Sequence, residues 1–300
     1  MSSGSERGMA GGGGRTALKL APLALPVALL FGGGLALAVA QSFGLLLPAP
    51  ASGELWGGPW AGYARLLEPH LLASLGMSLW VGLASAALAT ALGAVLAWGV
   101  WRLPPSLERL GLVYKTPLIL PHIAVAFLAI LLWSRSGLLA SVAWQSGWID
   151  APADFPDLLY AGGGGMILAY VYKMTPFALL LAHAALRRLD PRLAETARML
   201  GAGEGRVFLR IGVAHMAPVL HTVFIILFLY AFGAFDIPFA LGGGQPRMLS
   251  VTIYTLYFER SLAERPAAMA LLVVVFLLAA GCIAAYVRVA ARLGGEVRKL

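Results

Sequence analysis

The sequence predicts an all-α integral membrane protein with six transmembrane helices. Of its 300 residues, 60% are hydrophobic and 12% are charged, whereas average soluble chains are about 45–50% apolar and about 25% charged. So little charge cannot cover the surface of a water-soluble globule of this length, which argues against a cytosolic enzyme, a nucleic-acid binder and a disordered chain. The single cysteine, Cys282, excludes an intrachain disulfide framework and a cysteine-cluster metal site.

Long uncharged stretches define the six predicted helices. Because a helix needs about 20 apolar residues to cross a bilayer, each long stretch without Asp, Glu, Lys or Arg is a candidate span. Leu, Ala and Val dominate these stretches, and none shows the alternation of a membrane strand. Five stretches carry no charge, and a sixth, residues 158–186, is broken only by Lys173; the five are residues 20–53, 69–101, 116–134, 211–235 and 266–287. The predicted helices cover residues 20–45, 71–100, 116–134, 163–186, 217–241 and 267–290.

The two ends of the chain differ from its middle. Residues 1–17 contain a glycine run and are predicted to form a disordered arm; residues 18–293 form the transmembrane domain and residues 294–300 a tail. The sequence Ala38–Ala40 resembles a signal-peptidase site. The apolar run continues through Leu47, which is longer than a typical signal core. We therefore expect the first helix to be retained, with its cleavage as the alternative.

Most of the 22 basic residues lie on one side of the predicted spans. They occupy the N-terminal arm, the loops after helices 2 and 4 and the C-terminal tail, and the positive-inside rule makes this side cytoplasmic. Both termini are therefore predicted to be cytoplasmic, and the net charge of +8 needs no nucleic-acid partner. The loop after helix 4 is the most basic, with Arg187, Arg188, Arg192, Arg198, Arg206 and Arg210.

The loop at residues 187–217 is predicted to form two short helices. Asp190 is a suitable N-cap and Pro191 suits the first helical position, so the first helix runs from Pro191 to about Leu200. Gly201 can take the positive φ that ends a helix. A second helix begins near Glu204. The predicted apolar faces contain Leu193, Ala194, Ala197 and Leu200 in the first helix, and Val207, Phe208 and Ile211 in the second.

The same loop carries a family resemblance. The series Glu195-Thr196-Ala197, then Gly201, then Ile211 resembles the "EAA" loop of bacterial binding-protein-dependent ABC transporter permeases, with matching spacing to the glycine and the isoleucine. Two positions depart from the family pattern: Thr196 replaces an alanine, and Val213-Ala214 replaces the usual Leu-Pro. The resemblance extends over roughly residues 70–293 and includes residues 115–121. Residues 235–238 and 241–244 resemble the polyamine, thiamine and ferric-ion import group more than others.

This resemblance implies a fold, a mechanism and partners. The fold is that of a type I ABC importer permease of the MetI-like architecture, in the bacterial inner membrane and without a cofactor. A second permease subunit, identical or different, completes the path, two ATPase subunits bind below it, and a periplasmic binding protein delivers a small solute such as a polyamine, thiamine or ferric ion. The loop at residues 187–217 then couples the path to ATP hydrolysis, and its coupling residues are Glu195, Thr196, Ala197, Gly201 and Ile211.

Two charged residues within or near the spans are candidates for the solute path. Lys173 lies near the middle of the fourth helix, where an unpaired charge costs about 2.5–3.5 kcal/mol. Pro176 is predicted to kink the same helix. Asp236 lies near the outer end of the fifth helix. Lys173 or Asp236 lines the path or touches the solute; alternatively, the two form a structural ion pair, or Asp236 remains in water at the membrane interface. The sequence leaves these interpretations open.

The sequence lacks the motifs of an enzyme. It contains no Walker A loop, no His-Glu-x-x-His and no Gly-x-Ser-x-Gly, and no pair of histidines has metal-ligand spacing on a helix. We therefore expect no catalytic residues and no metal site, with ATP hydrolysed by a partner subunit. The alternative is a secondary transporter or channel without an ATPase. Such proteins often have internal repeats and several charges near the membrane midplane, which this chain does not show.

Overall fold

The computed structural model describes residues 12–45, 58–104, 114–259 and 261–297. Every regular element in these ranges is helical, which confirms the predicted all-α class. The α-helices are α1 (Gly12–Val27), α2 (Gly33–Ser42), α3 (Ala61–Ala64), α4 (Pro69–Trp101), α5 (Thr116–Ile119), α6 (His122–Trp133), α7 (Leu138–Gln145), α8 (Gly164–Leu186), α9 (Pro191–Met199), α10 (Glu204–Val207), α11 (Ala214–Gly233), α12 (Asp236–Leu241), α13 (Leu249–Tyr254) and α14 (Arg265–Val297).

Six helical segments in the described residues are long and apolar enough to cross a membrane, as predicted. The predicted second, fourth and sixth helices correspond to α4, α8 and α14. Of the predicted disordered arm, residues 1–11 lie outside the described residues, and α1 begins at Gly12. The six segments are Leu20–Ser42, Pro69–Trp101, His122–Gln145, Ala161–Leu186, Glu204–Gly233 and Leu262–Arg288.

The predicted limits of the third helix, residues 116–134, need correction, because its first turn is separated from the rest. A single turn, α5, ends at Ile119, Leu120 is extended, and α6 begins at His122. Pro121 explains this break, because proline has no backbone N–H and restricts the preceding residue to extended conformations. The third span then continues past a second break into α7.

The predicted limits of the fifth helix, residues 217–241, also need correction. The helix runs from Glu204 to Gly233 as α10, a π-helical segment at Phe208–Val213 and α11. Pro218 lies inside α11 and does not begin it. Membrane helices tolerate such a proline because neighbouring groups and local π turns satisfy the freed carbonyl. Ala234 is extended, so α12 is a separate short helix.

The chain divides into two compact units. The first comprises residues 1–67 with 253–277. Within its described part, the Ser42 and Tyr63 hydroxyls form a hydrogen bond of 2.8 Å, and Arg65 Nη1 lies 2.7 Å from Glu264 Oε2. These polar contacts join segments that are distant in the sequence.

The second unit comprises residues 68–252 with 278–300, and the pairing of α4 with α8 is central to it. Buried alanines lie on both helices, and the two backbones approach closely at Gly93. A Cβ atom on Gly93 would lie 2.9 Å from the Leu179 backbone nitrogen, so only glycine fits there without a shift. Such small-residue contacts let membrane helices pack at short range. This unit contains all the predicted coupling and path residues.

Candidate functional site

The loop at residues 187–217, here called the basic loop, holds α9 between two well-formed helix caps. The Asp190 carboxylate accepts a hydrogen bond of 3.0 Å from the Arg192 backbone N–H, as the predicted N-cap requires. Gly201 has φ +83°, and its N–H donates to the Arg198 carbonyl at 2.9 Å. The Ala202 N–H donates to the Ala197 carbonyl at 3.0 Å. These two bonds form a Schellman motif, which ends α9 sharply.

One face of α9 packs against an apolar cluster, here called the junction core. Ala194 is 1% exposed within it, and Ala197 is half-buried against it. Leu193 and Leu200, which the sequence pattern places on the same apolar face as the two alanines, are exposed. The small alanine side chains allow α9 to lie close to its neighbours, whereas the two leucines form no part of that contact. The buried members of the junction core are Ala94, Ala97, Trp98, Leu179, Ala182, Leu186, Leu189, Ala194, Val207 and Met216.

The opposite side of α9, here called the outer face, consists of Glu195, Thr196, Met199 and Leu200. All four residues are exposed, with Met199 at 80% and Leu200 at 83%. Residues 195 and 199 are one helical turn apart and therefore neighbours on the surface. Within the described residues Glu195 makes no ion pair. The outer face thus combines an available carboxylate with two large apolar side chains.

The segment after the Gly201 turn anchors the loop to the spans. Val207 is 1% exposed, and Phe208 and Ile211 are half-buried against the junction core, as their predicted apolar face requires. The Phe208 ring lies 5.7 Å from that of Trp98, between centroids. Ile211 therefore belongs to the inner side of the loop, whereas Glu195 and Thr196 belong to its outer face.

Glu204 joins three elements and was not singled out as a site residue by the sequence. Its Oε1 lies 2.7 Å from Arg198 Nε on α9, and its Oε2 lies 3.0 Å from Arg102 Nη1 at the end of α4. All three side chains are partly exposed. The sequence indicates a role for Glu204 only in that it is an acidic residue within a loop dominated by arginine. Its partners cannot be read from the sequence, because they depend on the turn at Gly201.

A second polar region lies within the spans, at Lys173 near the middle of α8. Lys173 is 8% exposed. Its ammonium donates to the carbonyls of Pro117 at 2.7 Å and Leu118 at 3.1 Å, and to that of Leu120. The possible ion pair with Asp236 is therefore wrong: Lys173 binds the backbone around the break before α6, a region here called the Lys173 junction.

His122, the first residue of α6, connects this junction to α11. It shares a hydrogen bond with the Tyr230 hydroxyl. Asp236, exposed at the start of α12, interacts electrostatically with both rings. A cavity of about 210 Å³ adjoins these groups and is lined by Leu118, His122, Lys173, Met174, Phe177 and Tyr230.

The sequence matches a known family over most of the described second unit. The family described as binding-protein-dependent transport system inner membrane component matches residues 89–293. The chain belongs to this family. The matched range contains the basic loop and the Lys173 junction, and the resemblance inferred from Glu195, Gly201 and Ile211 is confirmed.

Curated relatives of this inner membrane component are named as permeases. It is 28% identical over 152 residues to the probable ABC transporter permease protein y4fN of Sinorhizobium fredii, covering 51% of this chain and 26% of the relative. It is 29% identical over 196 residues to the spermidine/putrescine transport system permease protein PotB of Salmonella typhimurium, covering 64% and 66%. It is 25% identical over 192 residues to the molybdenum transport system permease protein ModB of Azotobacter vinelandii, covering 63% and 81%.

The inner membrane component also shares its fold with a solved importer. A bacterial ABC transporter involved in the import of the acidic polysaccharide alginate superposes with a TM-score of 0.72 at 17% identity, covering 93% of this chain and 95% of that one. A second alginate transporter structure, in complex with an alginate pentasaccharide-bound periplasmic protein, gives a TM-score of 0.71. The predicted importer-permease fold is confirmed by this likeness.

Proposed function

We propose that this chain is the permease subunit of an ATP-driven importer and that the outer face of α9 couples it to a separate ATPase subunit. The observation that carries this proposal is the geometry of α9. The helix is capped at both ends, is held from behind by the junction core and presents Glu195, Met199 and Leu200 to solvent. Exposed apolar side chains beside a carboxylate suit a groove on a partner protein.

Coupling requires that movement of the docked helix reach the spans. Ala194 and Ala197 contact the core, and Phe208 packs against Trp98 of α4. Glu204 adds an electrostatic connection from α9 to the end of α4. A force on α9 is therefore transmitted to α4, α8 and α11, the helices that pack together in the second unit.

The remaining partners follow from the family and from the charge distribution. The described part of the chain supplies six spans. We therefore propose a second permease subunit, identical or different, to complete the path, and two ATPase subunits below it. The complex of a related transporter with a periplasmic protein supports a binding protein as solute donor. We also propose that both termini are cytoplasmic and that the chain lies in the bacterial inner membrane; the excess of basic residues on one side of the spans supports this orientation.

For the substrate we propose a small solute handed over by the binding protein, in the polyamine, thiamine or ferric-ion group. The spermidine/putrescine name of the PotB relative supports the polyamine choice, whereas ModB is named for molybdenum. Of the two predicted path residues, Asp236 is exposed and Lys173 is buried. We therefore assign direct contact with the solute to Asp236.

A charge reversal on α9 tests the proposal. Glu195→Arg should abolish retention of the ATPase when the tagged chain is purified in mild detergent after co-expression with its neighbouring transport genes. Asp150→Arg is the matched control, because Asp150 is also an exposed acidic residue but lies in the loop between the third and fourth spans. The control should retain the ATPase as the unaltered chain does.

Two results would count against the proposed function. Equal retention by Glu195→Arg and the unaltered chain would remove Glu195 from the coupling surface. Failure of the unaltered chain to retain any ATPase, in spite of correct insertion, would favour the alternative of a secondary transporter or channel.

A further inference from the structure

The break before α6 leaves backbone carbonyls that the helix itself cannot satisfy. In a continuous helix the Pro117 carbonyl would accept a hydrogen bond from the backbone N–H of residue 121. Residue 121 is proline and has no such N–H. The extended conformation of Leu120 removes the helical partners of its neighbours as well. Where packed apolar helices exclude water, as around the buried Lys173 side chain, each unsatisfied carbonyl costs several kcal/mol.

Lys173 supplies the missing donors. An ammonium has three N–H groups, and three carbonyls accept from it, those of Pro117, Leu118 and Leu120. Because the three carbonyl acceptors equal the three ammonium donors in number, the charged group can be as little as 8% exposed among apolar helices. It also leaves no ammonium donor for a passing solute.

The position of α6 matters because of what its first residue contacts. His122 follows Pro121 directly and hydrogen-bonds Tyr230 on α11. Both rings lie within electrostatic range of Asp236. A shift of the break would therefore move His122 relative to the exposed carboxylate that we assign to the solute path.

We propose that Lys173 is a positioning residue: its ammonium replaces the helical N–H that Pro121 lacks and holds the start of α6, with His122, against α8 and α11. This role goes beyond the proposed function, since it concerns the arrangement of the path rather than ATP coupling. It assigns Lys173 to the protein backbone instead of to the solute.

The test uses the purified full-length chain in detergent and needs no ATPase or substrate. A nitroxide is attached at Ile119→Cys in a Cys282→Ser background, because Ile119 is 83% exposed on α5. Lys173→Met keeps the side-chain length but removes every donor. It should lower Tm by about 4–10 °C and increase the mobility of the nitroxide. Lys173→Arg keeps several donors and should retain most of the Tm and most of the order of the nitroxide.

Rescue by a second substitution separates this role from general destabilisation. Adding Pro121→Ala to Lys173→Met restores a backbone N–H to residue 121 and lets Leu120 become helical, so part of the lost Tm and of the order of the nitroxide should return. Pro218→Ala is the matched control, because it removes a different helix proline, in α11, and should rescue neither. If Lys173→Met does not accumulate, the same comparison is made on the amount of membrane-embedded protein.

Two outcomes would overturn the proposal. One is an unchanged Tm and nitroxide spectrum in Lys173→Met. The other is a loss that Pro121→Ala does not restore, or that Pro218→Ala restores equally. Neither outcome bears on the coupling role of Glu195, so failure of this inference is distinguishable from failure of the proposed function.

Discussion

The basic loop and the Lys173 junction provide hydrogen-bond partners for the free backbone groups of interrupted helices in opposite ways. At the ends of α9 the chain uses local groups, the Asp190 carboxylate and the backbone turn at Gly201. At the break before α6 it uses one side chain more than fifty residues away in sequence, Lys173. The difference follows from access to water. On the basic loop, water can bind the backbone groups that the caps leave without a partner, whereas among apolar helices no water is present to do so.

The two regions also use charge differently. Glu204 and its two arginines are exposed, so their attraction is weakened by water and by salt. The ammonium of Lys173 is buried and bound to carbonyls, so salt screens its interactions much less. Charge in the basic loop therefore adjusts the position of α9, while charge at the Lys173 junction is required for the local backbone path.

The largest effect expected in the basic loop comes from its backbone turn. Gly201→Ala should reduce the free energy of unfolding by about 1–2 kcal/mol, because an alanine at φ +83° pays the left-handed penalty. Gly205→Ala is the matched control: it lies in α10, has open space around it and should be neutral or stabilising. Thermal unfolding in detergent measures both. Equal losses in the two variants would contradict the role of the turn.

A smaller effect is expected from the exposed ion pairs. Glu204→Gln should lower Tm slightly at low ionic strength and have no effect at high salt, since the pairs to Arg102 and Arg198 are screened. Glu195→Gln, the same change on the same loop, should leave Tm unaltered at any salt concentration. The decrease of Tm in Lys173→Met should be independent of the salt concentration. A salt-insensitive loss in Glu204→Gln would remove the distinction between the two regions.

The sequence predicted the features that depend on local chemistry. The N-cap at Asp190 and the turn at Gly201 were predicted because the residues that make them are adjacent in the chain, and both are confirmed. The six apolar spans were predicted because hydropathy and length decide them. The coupling role of Glu195 stays a prediction, because its partner is another protein.

Features that depend on packing were predicted poorly. The helical spacing of apolar residues in α9 placed Leu193 on the same face as Ala194. The contact between α9 and the junction core is narrow, so only the alanines are buried in it. Lys173 was recognised as unusual, yet its partners were not, because no sequence spacing relates α8 to the carbonyls before α6.

One measurement tests the central claim directly, namely that α9 is where an ATPase docks. A photo-crosslinking amino acid is placed at Leu200 on the outer face or at Ile119 beside the Lys173 junction; both positions are 83% exposed. In membranes containing the co-expressed ATPase, position 200 should form an adduct with it and position 119 should not. No adduct from position 200, or equal adducts from both positions, would contradict the proposed coupling role of the basic loop.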